Sequence, residues 1–392
     1  MQPPRYILPI IVFAQFCCTS LWFASNGVLD HLIQAFELPT TSLGYLTSAV
    51  QFGFIIGTLV FASLMLVDRY SPAKVFFISA ILGSICNLAV ILESNTLMSL
   101  LLLRLGTGFF LAGIYPVGMK IASDYYEKGL GKSLGFLVGA LVLGTAFPHV
   151  LGVFESQFPW KWVMATTSVM ALVGGLSLYL FVPNGPFRRK SDSLQWFAFI
   201  TIFKNRPFRK AAFGYFGHMW ELYAFWAFVP VLLATYNSAT PNSDINIPLW
   251  SFLIVAIGSL GCVSCGLLSS KIGTSKLASA ALFSSFLCCL FVPMMFTLSA
   301  PFFILFLLFW GFVVIADSPL FSTLVAQSAT SELKGTALTI TNCIGFAITI
   351  VSIQLLAFFL DEISSRFGYM ILAIGPFIGL LVLRNQSRKH SI

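Results

Sequence analysis

His218 and Glu221 stand three residues apart, and together with Gly214 and Phe225 they form an i, i+4, i+7, i+11 stripe that lies on one face of a helix. An imidazole one turn from a carboxylate is suited to taking up and passing a proton, and Asp317 is a second acid of the same kind. Arg104, set among leucines, is suited either to drawing an anionic group of a solute or to pairing with a carboxylate that switches a gate. All four lie deep in apolar runs, where an ionisable side chain costs about 3 kcal/mol or more, so each is expected to face the protein interior or a water-filled cavity. Glu221 assisted by His218 is the expected proton-coupling pair, with Asp317 in reserve.

Further polar and aromatic residues share faces with these groups. Gln15, Trp22 and Asn26 align on the first apolar run, Arg104, Gly108, Leu111 and Tyr115 on the fourth, and Trp310, Asp317, Phe321 and Leu324 on the tenth. With Arg104, the residues Gln15, Trp22, Asn26, Tyr115 and Trp310 are the expected substrate-binding set. Lys120 is expected to snorkel to the nearer surface. No loop holds a His, Cys or Asp/Glu constellation with nucleophile or metal spacing, so neither an enzyme, a metal site nor a cofactor is expected. Cys262 and Cys265 have CxxC spacing but read as small packing residues inside a span. No GxxxxGK[ST] loop for an ATP motor occurs in the chain.

The runs that carry these groups recur about every 30 residues and are about 20 residues long, which as a helix matches the hydrocarbon core. Hydrophobic residues make up 58% of the chain and charged residues only 9%, more apolar surface than a soluble core absorbs. The runs do not alternate in polarity, so helices rather than barrel strands are predicted. About twelve spans are expected, near 6–28, 43–66, 74–92, 97–122, 134–154, 161–182, 208–234, 249–269, 276–298, 301–327, 336–360 and 368–386. The first run is too long for a signal-peptide core and reads as an uncleaved span.

Lysine and arginine fix the orientation. With the amino terminus inside, the outer loops hold only Lys161 and Arg366, and both termini are cytoplasmic. The net charge of +8 follows from this asymmetry and from the anionic inner leaflet, and gives no support to nucleic-acid binding. The basic stretch from Asn184 through Arg188, Arg189 and Lys190 to Arg206 divides the chain into a six-span bundle at 1–183, a cytoplasmic loop at 184–206 and a second six-span bundle at 207–392. Asp68-Arg69 is echoed by Ser270-Lys271, and Gly131-Lys132-Ser133-Leu134 by Gly335-Thr336-Ala337-Leu338, at nearly one offset, which favours duplication.

Leu64 to Lys74 carries Leu66, Asp68, Arg69 and Lys74 of a G-x-L-x-D-R-x-G-x-x-R/K loop, without its glycines, and Gly266 to Lys276 repeats it with both glycines and Lys271 but with Ser270 in place of the acid. Arg104 to Gly108 fits R-x-x-x-G, and Gly135, Gly139, Gly144, Pro148 and Gly152 line the fifth span. On these motifs the whole chain resembles the major facilitator superfamily of secondary transporters. The resemblance implies an all-α integral membrane fold of about twelve helices in two pseudo-symmetric six-helix bundles, with a central cavity lined by spans one, four, seven and ten. Those are the spans on which the polar stripes fall. It also implies gating by Asp68, Arg69, Lys74 and Lys271. The function implied is secondary active transport of a small solute, an organic anion or another metabolite, by alternating access with proton coupling. A proton-driven exporter of drug-like compounds and a solute-binding receptor without turnover are the alternatives. The expected partners are a small-molecule substrate, protons and the lipid bilayer. The chain is expected to be a monomer in the plasma membrane, the inner membrane in a bacterium.

Overall fold

The computed structural model describes residues 4–39, 41–126, 130–154, 157–188, 198–241, 243–330, 333–362 and 365–384. Among them run twelve apolar helices: α1 Ile7–Thr19, α2 Ser42–Ser63, α3 Pro72–Ile91, α4 Leu97–Tyr125, α5 Ser133–Gly152, α6 Lys161–Phe181, α7 Arg206–Ala239, α8 Ile247–Ile272, α9 Thr274–Met295, α10 Ala300–Ser328, α11 Lys334–Asp361 and α12 Arg366–Arg384. All but the shorter α1 are long and apolar enough to cross a membrane. The starts are set locally. Thr96 accepts from the Ser99 amide and the Ser99 hydroxyl accepts from the Thr96 amide, a reciprocal cap on α4. Pro72, Pro207, Pro248 and Pro301 occupy the first turns of α3, α7, α8 and α10, where a missing N–H costs nothing.

In lipid the helices gain nothing from hiding apolar side chains from one another, so close backbone approach decides the packing. A Cβ at Gly108 of α4 would overlap the Val50 carbonyl of α2, and one at Gly311 of α10 would overlap the Ile254 carbonyl of α8. Met98, Leu102, Phe302 and Leu305 point outward and supply the lipid face. Within the first six helices α1 packs on α5 and α6, α2 on α4, and α3 on α6. Within the last six α7 packs on α11 and α12, and α9 on α10. The two bundles meet along α2 with α11 and α5 with α8. The end of the molecule where α1 begins and α12 ends carries Lys120, Arg188, Arg206 and Lys271 and is referred to as the basic end.

Several spans are interrupted where the sequence predicts continuous helix. The first, expected over 6–28, stops at Thr19, and a turn leads into a 3-10 segment Asn26–Val28 and a short helix Leu29–Ala35. α4 divides into Leu97–Leu111 and Tyr115–Tyr125 ahead of Pro116. α10 divides into Ala300–Ala316 and Ser318–Ser328, because Pro319 cannot donate to Ile315, and the Ile315 carbonyl accepts instead from the Asp317 N–H and from Cys262 Sγ at 3.5 Å. Asp317 therefore sits at the break rather than mid-helix. Of the connection expected at 184–206, Arg189, Lys190 and 191–197 lie outside the described residues, as do Lys128, Arg388 and Lys389.

Candidate solute and proton site

Arg104 enters the interior from α4 with 1% of its surface exposed. Its Nη1 donates to the Leu21 carbonyl at 3.1 Å and to Asn87 Oδ1 at 3.2 Å, and its Nη2 donates to the Trp22 carbonyl at 2.5 Å. The carbonyls released by the interruption of the first span are thus taken up by a guanidinium. Asn87 of α3 donates in turn to the Met164 carbonyl, Thr167 Oγ1 and Ser168 Oγ of α6 at 3.0 to 3.2 Å. Four elements are knitted by one cation and one amide, and no carboxylate is paired with Arg104 among the described residues. Its Nε is buried without a partner.

The acids lie in the other bundle. Glu221 Oε1 accepts from Ser285 Oγ at 2.5 Å, Trp310 Nε1 at 2.5 Å and Cys289 Sγ at 3.2 Å, all neutral donors from α9 and α10. His218 does not join Glu221. It turns to Asp317, with Nδ1 2.7 Å from Oδ1 in a close polar contact rather than an aligned hydrogen bond, and its Nε2 has no partner. The shared stripe of α7 therefore divides, with Glu221 taking neutral donors from α9 and α10 and His218 meeting the second acid, Asp317, of α10. Trp310, expected to touch solute, is spent on Glu221.

Between the bundles the aromatic residues close together. Trp22 stacks on Tyr223 and Phe346 at centroid distances of 5.6 and 5.7 Å and lies 5.0 Å from Phe54, while Phe54 meets Phe346 at 4.3 Å. Trp226 meets Tyr223 edge-on at 5.4 Å. Around this box the indole nitrogens of Trp22 and Trp226 and both amide atoms of Gln51 are buried without partners. Gln15, also unpartnered, lies against Gly118 of α4. Asn26 donates to Thr47 Oγ1 at 2.9 Å, and Tyr115 is half-buried on the second segment of α4. Buried polar groups left unpaired cost about 1–3 kcal/mol each, which makes this cluster the candidate for contact with a solute.

At the basic end Lys120 does not simply snorkel. Its Nζ lies 3.9 Å from Asp68 Oδ1 and 3.5 Å from Asp124 Oδ1. Arg188 Nη2 donates to the Val67, Asp68 and Tyr70 carbonyls at 3.3, 3.2 and 2.8 Å and clasps the turn that carries Asp68. Arg69, Lys74 and Lys271 are exposed. A cavity of about 170 Å³ opens between α2, α4 and the start of α11, lined by Thr58, Asp68, Lys120, Thr336 and Thr339 among others. Ser285, Cys289, Asn87, Tyr223, Phe54 and Phe346 were not marked by sequence. Only Asn87, a lone amide in an apolar run, offered a signal.

The sequence profile of the Major Facilitator Superfamily matches residues 11–353. A probable L-galactonate transporter of Escherichia coli strain K12 is 23% identical over 242 residues, 57% of this chain and 52% of that protein, so the match spans about half the length of that relative. The solved proton:xylose symporter XylE superposes with a TM-score of 0.77 at 13% identity, covering 97% of this chain and 95% of its own. The human organic anion transporter MFSD10 does so with a TM-score of 0.72 at 15% identity, covering 98% and 100%. The helical order, the paired bundles and the profile match agree, and the chain belongs to the Major Facilitator Superfamily of multi-pass membrane transporters.

Proposed function

We propose that this protein is a secondary active transporter that moves a small organic anion through the centre of the molecule by alternating access and couples that movement to protons. Glu221 carries the reading. A fully buried carboxylate held by two hydrogen-bond donors and a thiol, with no cation in contact among the described residues, can change charge without breaking an ion pair, and its donors come from α9 and α10, which can shift relative to α7. Asp317 with His218 is the second proton-holding pair. The anion is favoured by Arg104, whose positive charge is buried with no carboxylate partner beside the Trp22 segment, and by the names of relatives described as galactonate and organic anion transporters.

In this reading residues 1–183 and 207–392 rock as two bundles joined by 184–206. The basic end faces the cytoplasm of a plasma membrane, and the protein works as a monomer. The reading is tested by reconstituting the full chain in liposomes, imposing a pH gradient and following labelled L- and D-galactonate. Uptake that a protonophore abolishes, and that Glu221→Gln loses while keeping solute exchange, supports it. Uptake indifferent to both overturns the coupling. The stacked box of Trp22, Tyr223, Phe346 and Phe54 favours a second reading, export of flat apolar compounds, which gradient-driven extrusion of an aromatic dye and no transport of sugar acids would select.

A further inference from the structure

The cavity at the basic end and the Trp22 box lie along the same two helices, α2 and α11. On α2, Thr58 lines the cavity and Phe54 lies one turn away on the same face. On α11, Thr339 lines it and Phe346 lies two turns on. The contact between Phe54 and Phe346 at 4.3 Å therefore lies deeper than the cavity, between it and the Trp22 box. The cavity walls offer threonine hydroxyls, and Thr58 Oγ1 is buried without a partner. The floor carries a cation, Lys120.

We propose that this cavity is a second solute site, in series with the central one, in which the carboxylate of a hydroxylated organic anion competes with Asp68 for Lys120. The proposal rests on the transporter reading above. Asp68 and Asp124 face Lys120, and Arg188 lies at the same end with its guanidinium on the carbonyls of Val67, Asp68 and Tyr70. An incoming anion reaches Lys120 by displacing a carboxylate already there. Asp124 sits at i+4 to Lys120 on the same helix and is 3.5 Å away, whereas Asp68 reaches across from another element and is 3.9 Å away, so Asp68 is the one displaced. Because Arg188 fixes the backbone of the turn, the Asp68 side chain swings while the turn stays in place. The contact that ties α4 to the α2–α3 turn is then opened by the solute itself, and exit past the Phe54–Phe346 contact and loosening of the basic end become one event. The hydroxyls of Thr58, Thr336 and Thr339 suit a solute with its own hydroxyl groups.

The test is equilibrium binding of D-galactonate to the purified full chain in nanodiscs, for wild type, Lys120→Gln, Asp68→Asn and Thr58→Val. Competition predicts opposite signs: about tenfold weaker binding for Lys120→Gln and severalfold tighter binding for Asp68→Asn, with weaker binding also for Thr58→Val. A merely structural ion pair moves both partners' variants the same way, and that result, or wild-type binding in all three, overturns the proposal. If Lys120→Gln does not fold, Lys120→Arg and Asp68→Asn decide it, since the charge is kept in one and the competitor removed in the other. Absence of galactonate binding by wild type also overturns the proposal, whereas gradient-driven flux of another solute would leave the transporter reading standing.

Discussion

The most deeply buried charged group of the first six helices is a cation, Arg104, and those of the last six are the acids Glu221 and Asp317, and the two kinds are held in different ways. Arg104 gives its protons mostly to backbone carbonyls and to Asn87, groups that cannot ionise and that belong to elements packed around α4. Glu221 receives only side-chain donors, from helices that are not its own. A cation satisfied by backbone is an anchor, since moving it would strand carbonyls in a region without water. An acid satisfied by rotatable neutral donors has an alternative state in which it carries the proton itself. The difference teaches that depth in the bilayer alone does not assign a role to a charge. The chemistry of its partners does.

The contrast is broken most severely at Glu221. Glu221→Gln keeps the shape and the hydrogen bonds from Ser285 and Trp310 but cannot titrate, so gradient-driven uptake should fall by about 100-fold or more, the scale on which loss of one proton-transferring group is felt. Solute counterflow at equal pH should persist. Loss of both activities together would place Glu221 with the anchors.

Arg104 should answer in the other currency. Arg104→Ala leaves the Leu21 and Trp22 carbonyls and Asn87 Oδ1 buried without a donor, and thermal unfolding in detergent should report about 3 kcal/mol of lost stability. Arg104→Lys should recover part of it, because one ammonium cannot reach three acceptors in two directions. A variant that keeps its Tm and loses only solute affinity would show that Arg104 is a ligand and not a strut.

Between these lies the His218–Asp317 pair, at 2.7 Å and fully buried. A double-mutant cycle with His218→Gln and Asp317→Asn should give a coupling of about 1 kcal/mol in stability, near the upper part of the range for polar contacts between membrane helices. Coupling in uptake kinetics without coupling in stability would move the pair from the structural group to the proton path.

How much of this was legible in the chain follows the range of the interactions. A charge inside an apolar run admits few readings, so Arg104, His218, Glu221 and Asp317 stood out, and the spacing of the runs gave the helical membrane fold. Partners were not legible, because they are set by packing. Ser285, Cys289 and Trp310 lie 64, 68 and 89 residues from Glu221, and the carbonyls that Arg104 holds lie 82 and 83 residues from it. Three residues along α7 suggested that His218 served Glu221, yet residues at i and i+3 diverge enough around the helix for His218 to reach Asp317 of α10 while Glu221 meets its donors on α9 and α10. Lys120 reads as a snorkelling residue until the loop carrying Asp68 is folded over it.

The mildest test lies on the side opposite the basic end, where Lys161 Nζ meets Glu93 Oε1 at 2.9 Å with the carboxylate almost wholly in solvent. The hydrogen bond and charge of Lys161 hold the Glu93 carboxyl below its ordinary range. A carboxyl whose folded value is depressed stabilises the fold at pH above its unfolded value, and that contribution is lost as pH falls through the folded value. The exposed pair pays side-chain ordering and is screened by salt, so Glu93→Gln should leave Tm and its pH profile within experimental scatter of wild type. If instead this variant destabilised as much as Arg104→Ala, the distinction between charges that fix the bundle and charges that merely decorate it would fail at its simplest point, and solvent exposure could no longer be used to separate them.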